Sequence, residues 1–272
     1  MKQFQPAIKW SGSKRSLGAE IIKYFPDNFG IYYEPFCGGC SVLRYLLESE
    51  KKAKGYVCSD VNQDLINLWK DIMNCPEKVA LHYRYLWEGL LKASNKKGYY
   101  EEIRKRFNDE HNHLDFLFIN RTCYNGLIRY NKSGAFNSPF HLNRDGIKPD
   151  KLSAIINEWS LLLNTNNVVF KCCSYDEIMP EKSDFVYLDP PYANTKGMYE
   201  GGFDSKLFFN WLSQVQCKWA LSYNGYSGNE RHICDIPFLY KNHLLIKSGN
   251  SSFKRLINNN KPAVVYESLY LN

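Results

Sequence analysis

A chain of 272 residues, 44% hydrophobic with six Trp, 16 Phe and 20 Tyr, can form one large or two modest domains around a sizeable core. No apolar stretch approaches the roughly 20 residues needed to cross a bilayer, and the N-terminus lacks the pattern of a secretory signal, so the chain reads as a soluble cytosolic protein with reduced cysteines. Net charge is +7 and unevenly spread: residues 92–151 hold twelve Lys and Arg against seven Asp and Glu, a local excess of five, which points to an acidic partner for the middle of the chain.

In chain order, "IYYEPF" (31–36) is a short strand that runs into Cys37-Gly38-Gly39-Cys40. "SVLRYLL" (41–47) follows as a helix with Val42, Leu43, Leu46 and Leu47 on one face. "GYVCSD" (55–60) is a second strand, and "NQDLINLWKDIM" (62–73) repeats Leu65, Leu68, Trp69 and Ile72 at helical spacing. This β-α-β-α order predicts an α/β fold with a parallel sheet and a ligand crevice at the C-terminal ends of its strands. From about residue 75 to 147 the rhythm gives way to an aromatic, basic, Asn- and Gly-rich stretch, read as an inserted domain. The alternation then resumes with "VVFKCCSY" (168–175), "DFVYLDPPY" (184–192) and "KWALSYNG" (218–225) as strands. "HLLIKS" (243–248) and "AVVYESLYLN" (263–272) are expected to pair as a final antiparallel ribbon. The boundaries that follow are 1–74 plus 148–272 for one domain and 75–147 for the other.

Cys37-Gly38-Gly39-Cys40 admits two readings. As a C-x-x-C it would place a thiolate near a helix N-terminus, suited to dithiol or metal chemistry. As a glycine turn between strand and helix it allows close backbone approach to a ligand, and Asp60, 21 residues beyond Gly39, can accept hydrogen bonds from two ribose hydroxyls. The second reading explains more of the surrounding pattern. In "DFVYLDPPY" an apolar strand runs into Asp189-Pro190-Pro191-Tyr192, where the prolines stiffen the turn. A planar base with an exocyclic amino group can donate to the Asp189 carboxylate and the Pro190 carbonyl while stacking on Tyr192. His111-Asn112-His113 has no cysteine or acid at ligand spacing and reads as solvated, so no metal is predicted. "ANTKGMYEGGF" after Tyr192 reads either as a loop able to close over a base or as plain surface, and Lys254 and Arg255 can touch phosphate.

Taken in order, these motifs resemble the Dam-like (D12 class, alpha group) DNA adenine-N6 methyltransferases, which use S-adenosylmethionine. "IKWSGSKRSL" resembles the family's K-W-x-G-x-K cofactor motif, "EPFCGGCS" its F-x-G-G turn, and "SDVNQDLINLW" its ribose-binding acid and helix. "DPPY" resembles its catalytic motif, and "FINRTCYNGLIRYNKSGAFNSPF" the hairpin with which it reads DNA. The resemblance covers nearly the whole chain. It implies a Rossmann-like S-adenosylmethionine-dependent methyltransferase sheet, with 75–147 a mainly helical target-recognition domain carrying a β-hairpin. It also implies that Trp10 and Lys14 contact the cofactor, Phe36 and the Gly38-Gly39 backbone cradle it, Asp60 takes its ribose hydroxyls and Tyr175 lies on its adenine side. Asp189, Pro190 and Tyr192 become the catalytic set, with Asp189 also beside the sulfonium.

For DNA, the resemblance assigns base contacts to Leu127, Arg129 and Pro139 and places Lys9 near the first base. Arg129 suits a guanine edge and Lys132 a phosphate, while Asn120 and Asn125 could read adenine or hold the turn. The expected partner is double-stranded DNA, bound by a monomer or weak dimer in a bacterial or phage-infected cytoplasm, at a short site beginning G-A-T such as GATC. Whether the setting is a restriction system, a phage or a chromosomal regulator stays open. Two departures stand out: Cys40 replaces the family's usual third glycine, and His141-Leu142-Asn143 replaces its usual glycine and basic or aromatic continuation. The alternatives are a catalytically weak nucleic-acid binder of the same fold and a dithiol or metal protein built on Cys37 and Cys40.

Overall fold

The structure, a computed structural model, describes residues 4–191, 203–227, 230–231, 236, 239–250 and 264–272. The first part of the chain forms α1 (Gly18–Ile21), β1 (Asn28–Glu34), α2 (Ser41–Leu47), β2 (Lys52–Asp60) and α3 (Gln63–Asn74). The central part is helical, with α4 (Pro76–Lys92), α5 (Lys96–Glu110) and α6 (His113–Thr122). The last part forms α7 (Pro149–Thr165), β3 (Val168–Cys172), β4 (Phe185–Leu188), α8 (Ser205–Leu212), β5 (Lys218–Ser227), β6 (Glu230–Arg231), β7 (Asn242–Asn250) and β8 (Val264–Leu271).

Strand order is β3-β2-β1-β4-β5-β8-β7, with the two-residue β6 beside β5. The five strands from β3 to β5 are parallel, and β8 runs antiparallel to both β5 and β7. The order turns about the β1–β4 neighbourhood: the chain winds outward from β1 to β3 on one side, then returns at β4 and winds the other way. A crevice opens above the C-terminal ends of strands at such a switch point. The parallel strands and the final ribbon stand as expected from the sequence; the insertion of β8 between β5 and β7 is new.

Period-two alternation divides the sheet's side chains between two apolar layers. On β4, Phe185 and Tyr187 join the core shared with α2, α3 and α7, whereas Val186 and Leu188 join the one formed with α8. All four β4 residues are buried, as a central parallel strand covered on both faces requires. Helix α3 is capped by Asn62, whose side chain accepts from Leu65 N at 2.8 Å, and is stopped by Pro76, which opens α4. Trp69 on its inner face lies parallel to Phe170 of β3, with centroids 5.7 Å apart.

Helix α4 packs on α7, and α6 on α3 and α4; their buried residues belong to the same core as β1 and β2. His111 is exposed, as expected, and His113 half-buried; they pair with Asp64 and Asp71 of α3, each at 2.9 Å. The reason is topological: α5 ends at Glu110, and His111 after it, with a left-handed φ of 51°, turns the chain back across α3. Residues 123–140 form a sparse antiparallel hairpin, bridged at Cys123–Phe140 and Tyr130–Phe136. No helix among the described residues is long and apolar enough to cross a membrane.

Candidate active site

The turn after β1 is pinned from three sides. Gly38 N donates to Asp60 Oδ2 at 3.2 Å, Trp69 Nε1 donates to the Gly38 carbonyl at 2.8 Å, and Trp10 lies over the glycines. A Cβ built on Gly38, where φ is +44°, would stand 2.5 Å from Trp10 Nε1. The close approach that demands glycine here is thus made by the indole of Trp10, and the ligand crevice lies beside it. Asp60 also accepts from Asn62 N at 3.1 Å, and burial raises its carboxyl to about 6 despite those bonds.

Across the crevice, Asp189 follows β4 directly. Lys14 reaches it from the N-terminal segment: Nζ lies 2.7 Å from Asp189 Oδ1, 2.8 Å from Glu267 Oε1 and 3.1 Å from the Gly12 carbonyl. Burial opposes the Lys14 charge, but the two carboxylates overcome it and hold the ammonium well above the ordinary lysine range. Burial raises Asp189, with Lys14 only partly offsetting it, and pushes Glu267 up to about 7. Lys14 lines the crevice and braces Asp189. Glu34, at the end of β1, also lines the crevice; it accepts from Tyr32 Oη at 2.8 Å and Leu43 N at 3.1 Å, and burial pushes it up to about 8.

Phe36 stacks on Tyr175, with centroids 5.5 Å apart and planes at 28°, and Phe208 meets both rings edge-on. At that spacing no third ring fits between them, so Tyr175 and Phe36 form one aromatic wall. Cys37 and Cys40 are both buried, and burial pushes the Cys37 thiol up to about 12 and Cys40 well above the ordinary range. Neither is a thiolate, and no group of three or more His, Cys, Asp or Glu among the described residues could hold a metal ion. Cys40 caps α2 with φ at 51°, a left-handed position natural to the glycine it replaces. Its side chain goes into the core beside Cys58 and does not enter the turn.

The hairpin is tied to this site. Asn62 Nδ2 donates to Tyr130 Oη at 3.0 Å, and Ile128 N reaches Ser11 Oγ at 3.4 Å. Asn120 requires a correction. It is fully buried, its Oδ1 accepting from Lys9 N at 2.9 Å and its Nδ2 donating to the Lys9 carbonyl at 2.7 Å. With both ends of its amide engaged by one backbone, it clamps the N-terminal segment and offers no edge to a base. Arg121 does the same, donating from Nε to the Ala7 carbonyl at 3.0 Å and from Nη2 to that of Pro6.

Lys9 itself is half-buried and its pKa is lowered, first by burial and then by Arg121; its side chain lies over Gly126. Arg129, Lys132 and Pro139 are exposed and Leu127 is half-exposed. Arg129 Nε donates to Asn137 Oδ1 at 2.9 Å. A hollow lined by Lys9, Arg15, Tyr124, Asn125 and Leu127 shares the stretch 10–13 with the crevice.

Pro190 is buried beside Asp189, and Pro191 is the last described residue before the gap at 192–202. Tyr192, most of the loop after it, and Lys254 and Arg255 lie outside the described residues. Sequence reasoning missed Glu267 and Glu34. Glu34 sat in full view inside "EPF", an acid ending an apolar strand; Glu267 is 78 residues from Asp189 with no motif around it.

Residues 10–226 match the D12 class N6 adenine-specific DNA methyltransferases. The chain is 34% identical over 205 residues to the retron Ec67 DNA adenine methylase of Escherichia coli, covering 72% of this chain and 67% of that one. It is 34% identical over 207 residues to the type II methyltransferase M.MjaIII of Methanocaldococcus jannaschii, covering 70% of each. With the DNA adenine methylase of Vibrio cholerae it shares 32% over 199 residues, 71% of this chain and 67% of that one. A switch-point crevice holding a glycine turn and a braced Asp-Pro-Pro, together with a match over most of the length, leads to one conclusion: this chain belongs to the D12 class N6 adenine-specific DNA methyltransferases.

Proposed function

We propose that this chain transfers the methyl group of S-adenosylmethionine to the N6 amino group of an adenine flipped out of double-stranded DNA, within a short site of the GATC type. The observation that carries the reading is Asp189 at the end of β4, braced by buried Lys14 and facing the glycine turn that Asp60 holds.

The residues fit the cofactor. Asp60 is fixed by two backbone N–H groups and keeps acceptor capacity for ribose hydroxyls; Phe36 and Tyr175 offer an aromatic face for adenine; the acidic surroundings of Asp189 suit a cation. When bound, S-adenosylmethionine supplies an electrophilic methyl group on a sulfonium. The protein's part is orientation. Asp189 and the Pro190 carbonyl accept hydrogen bonds from the target amine, which turns its lone pair toward the methyl and raises its electron density. That amine is out of reach inside a duplex, so the base must leave the stack, and Tyr192 after the prolines is the stacking partner the family pattern assigns.

Residues 75–147 are the recognition unit in this reading, with Arg129 on a guanine edge, Leu127 and Pro139 against bases, Lys132 on phosphate and Lys9 near the first guanine. A single chain or a weak dimer engages the DNA. The test is sequencing of plasmid DNA from cells expressing the protein by a method that maps methylated adenines. Modified adenines confined to sites of the GATC type, and none with Asp189→Ala, are expected. Modification at unrelated sequences would discard the GATC assignment, and none at all in the wild type would discard the activity.

A further inference from the structure

Asn62 sits between the crevice and the hairpin, and its polar groups have separate tasks. Its N–H donates to Asp60 Oδ1 at 3.1 Å, and its side-chain Oδ1 accepts from Leu65 N at 2.8 Å, which caps α3. Its Nδ2 donates to Tyr130 Oη at 3.0 Å. One residue therefore holds the ribose acid with its backbone and the hairpin with its side chain. Along the hairpin, burial alternates as in a strand: Ile128 is buried, Arg129 exposed and Tyr130 half-buried, so the base reader faces out while its two neighbours face the body of the protein. The Tyr130 ring is set edge-on to the buried Phe136, with centroids 5.7 Å apart and planes at 86°, and the same two residues form a backbone bridge. Ile128 N reaches Ser11, which lines the crevice. A backbone shift at Arg129 is thus a shift at Tyr130, one residue away, and it pulls on the segment that carries Asp60.

We propose that Asn62 and Tyr130 are positioning residues for site choice: their hydrogen bond holds the hairpin in register with the turn around Asp60, so that cofactor and a matching duplex tighten each other's binding while an altered duplex does so less. The inference rests on reading the crevice as the S-adenosylmethionine site and the hairpin as the DNA reader. Coupling between two ligands is reciprocal, so it is visible in the affinity of the smaller one.

The test is equilibrium titration of the full chain with S-adenosylhomocysteine alone, with a duplex carrying the site that methylation mapping returns, and with a duplex altered at one base pair of that site. Wild type is compared with Tyr130→Phe, which keeps the ring, with Asn62→Ser, which keeps a capping hydroxyl, and with the double variant. In wild type the matching duplex is expected to tighten the ligand about fivefold more than the altered duplex does. Each single variant should bring that ratio to within about twofold of unity and the double variant should add nothing, because all three lack the same bond. Any further contact of the Tyr130 hydroxyl is lost in both Tyr130 variants and cancels in the cycle. Affinity for S-adenosylhomocysteine without DNA should stay within about threefold of wild type. An unmoved ratio in the folded variants, or a wild type that does not distinguish the duplexes, would overturn the proposal while leaving the cofactor reading intact. Additive effects of the two substitutions would show that each acts elsewhere and overturn it too. If one single variant fails to fold, the ratio in the other decides. A wild type that binds no S-adenosylhomocysteine, or methylates no DNA, would bring down the functional reading itself.

Discussion

Burial raises the carboxyls of Asp60 and Glu34, to about 6 and about 8. Both folded values lie above the unfolded ones, so the native state binds the extra proton and stability falls as pH rises, between about 4 and 6 for Asp60 and about 4.5 and 8 for Glu34. Asp60→Asn sets its amide NH2 against one of the two backbone N–H groups that the carboxylate accepts from, so it should lower stability by about 1–3 kcal/mol and weaken cofactor binding; thermal unfolding and a cofactor titration on the same sample read both. Unchanged cofactor binding in the folded variant would remove Asp60 from the ribose. Glu34→Gln should flatten the pH dependence of the melting temperature and retain the fold. Glu34→Ala should lose about 1–3 kcal/mol for each of the two donors, Tyr32 Oη and Leu43 N, that it strands. Cys37→Ser with Cys40→Ser should leave methyl transfer largely intact and lower the melting temperature, since both thiols are protonated and packed. Loss of transfer in a folded double variant would restore the dithiol alternative.

Helix α6 and the hairpin after it hold neighbouring residues with separable duties. Asn120→Ala strands the Lys9 N–H and carbonyl, so it should cost about 2 kcal/mol or more and lower the yield of methylated DNA without changing the site methylated. Arg129→Ala should leave stability within about 0.5 kcal/mol and relax the site at one position by about 1–3 kcal/mol of discrimination. Methylation maps of the two variants, beside their melting curves, distinguish clamp from reader; an unchanged site in Arg129→Ala would remove base reading from that residue. The contrast also marks what the sequence could reveal. Strands and helices such as "DFVYL" and "NQDLINLW" were legible because burial on one or both faces imposes a period. Asn120 was not, because an amide's residue type does not tell whether its edges face DNA or a neighbouring backbone. The two histidines that pair with α3 were hidden for the same reason: their partners lie 47 and 42 residues away.

For the molecule as a whole, the sheet's first five strands follow from the alternation of strand and helix, and the crevice follows from their order. What sequence could not supply is which distant segments close that crevice. The glycine turn, Asp60 and the Asp-Pro-Pro turn announce themselves; the contact of Lys14 with Glu267 of β8, behind Asp189, depends on β8 entering between β5 and β7. Removing residues 264–272 should therefore do more than shorten an edge: it uncovers the side of β5 and the buried Leu269 and Tyr270 are lost from both core layers. Near-ultraviolet circular dichroism on heating should show no cooperative transition in that truncated chain, and a sharp one would mean that β8 is dispensable to the fold. The same placement has a consequence for synthesis. As the chain leaves the ribosome, the basic hairpin and the turn at Gly38 emerge while Lys14 still lacks its second acid, and β7 still lacks its neighbour. The contacts around Asp189 thus stay incomplete until β8, which follows the other described strands in the chain, has been made.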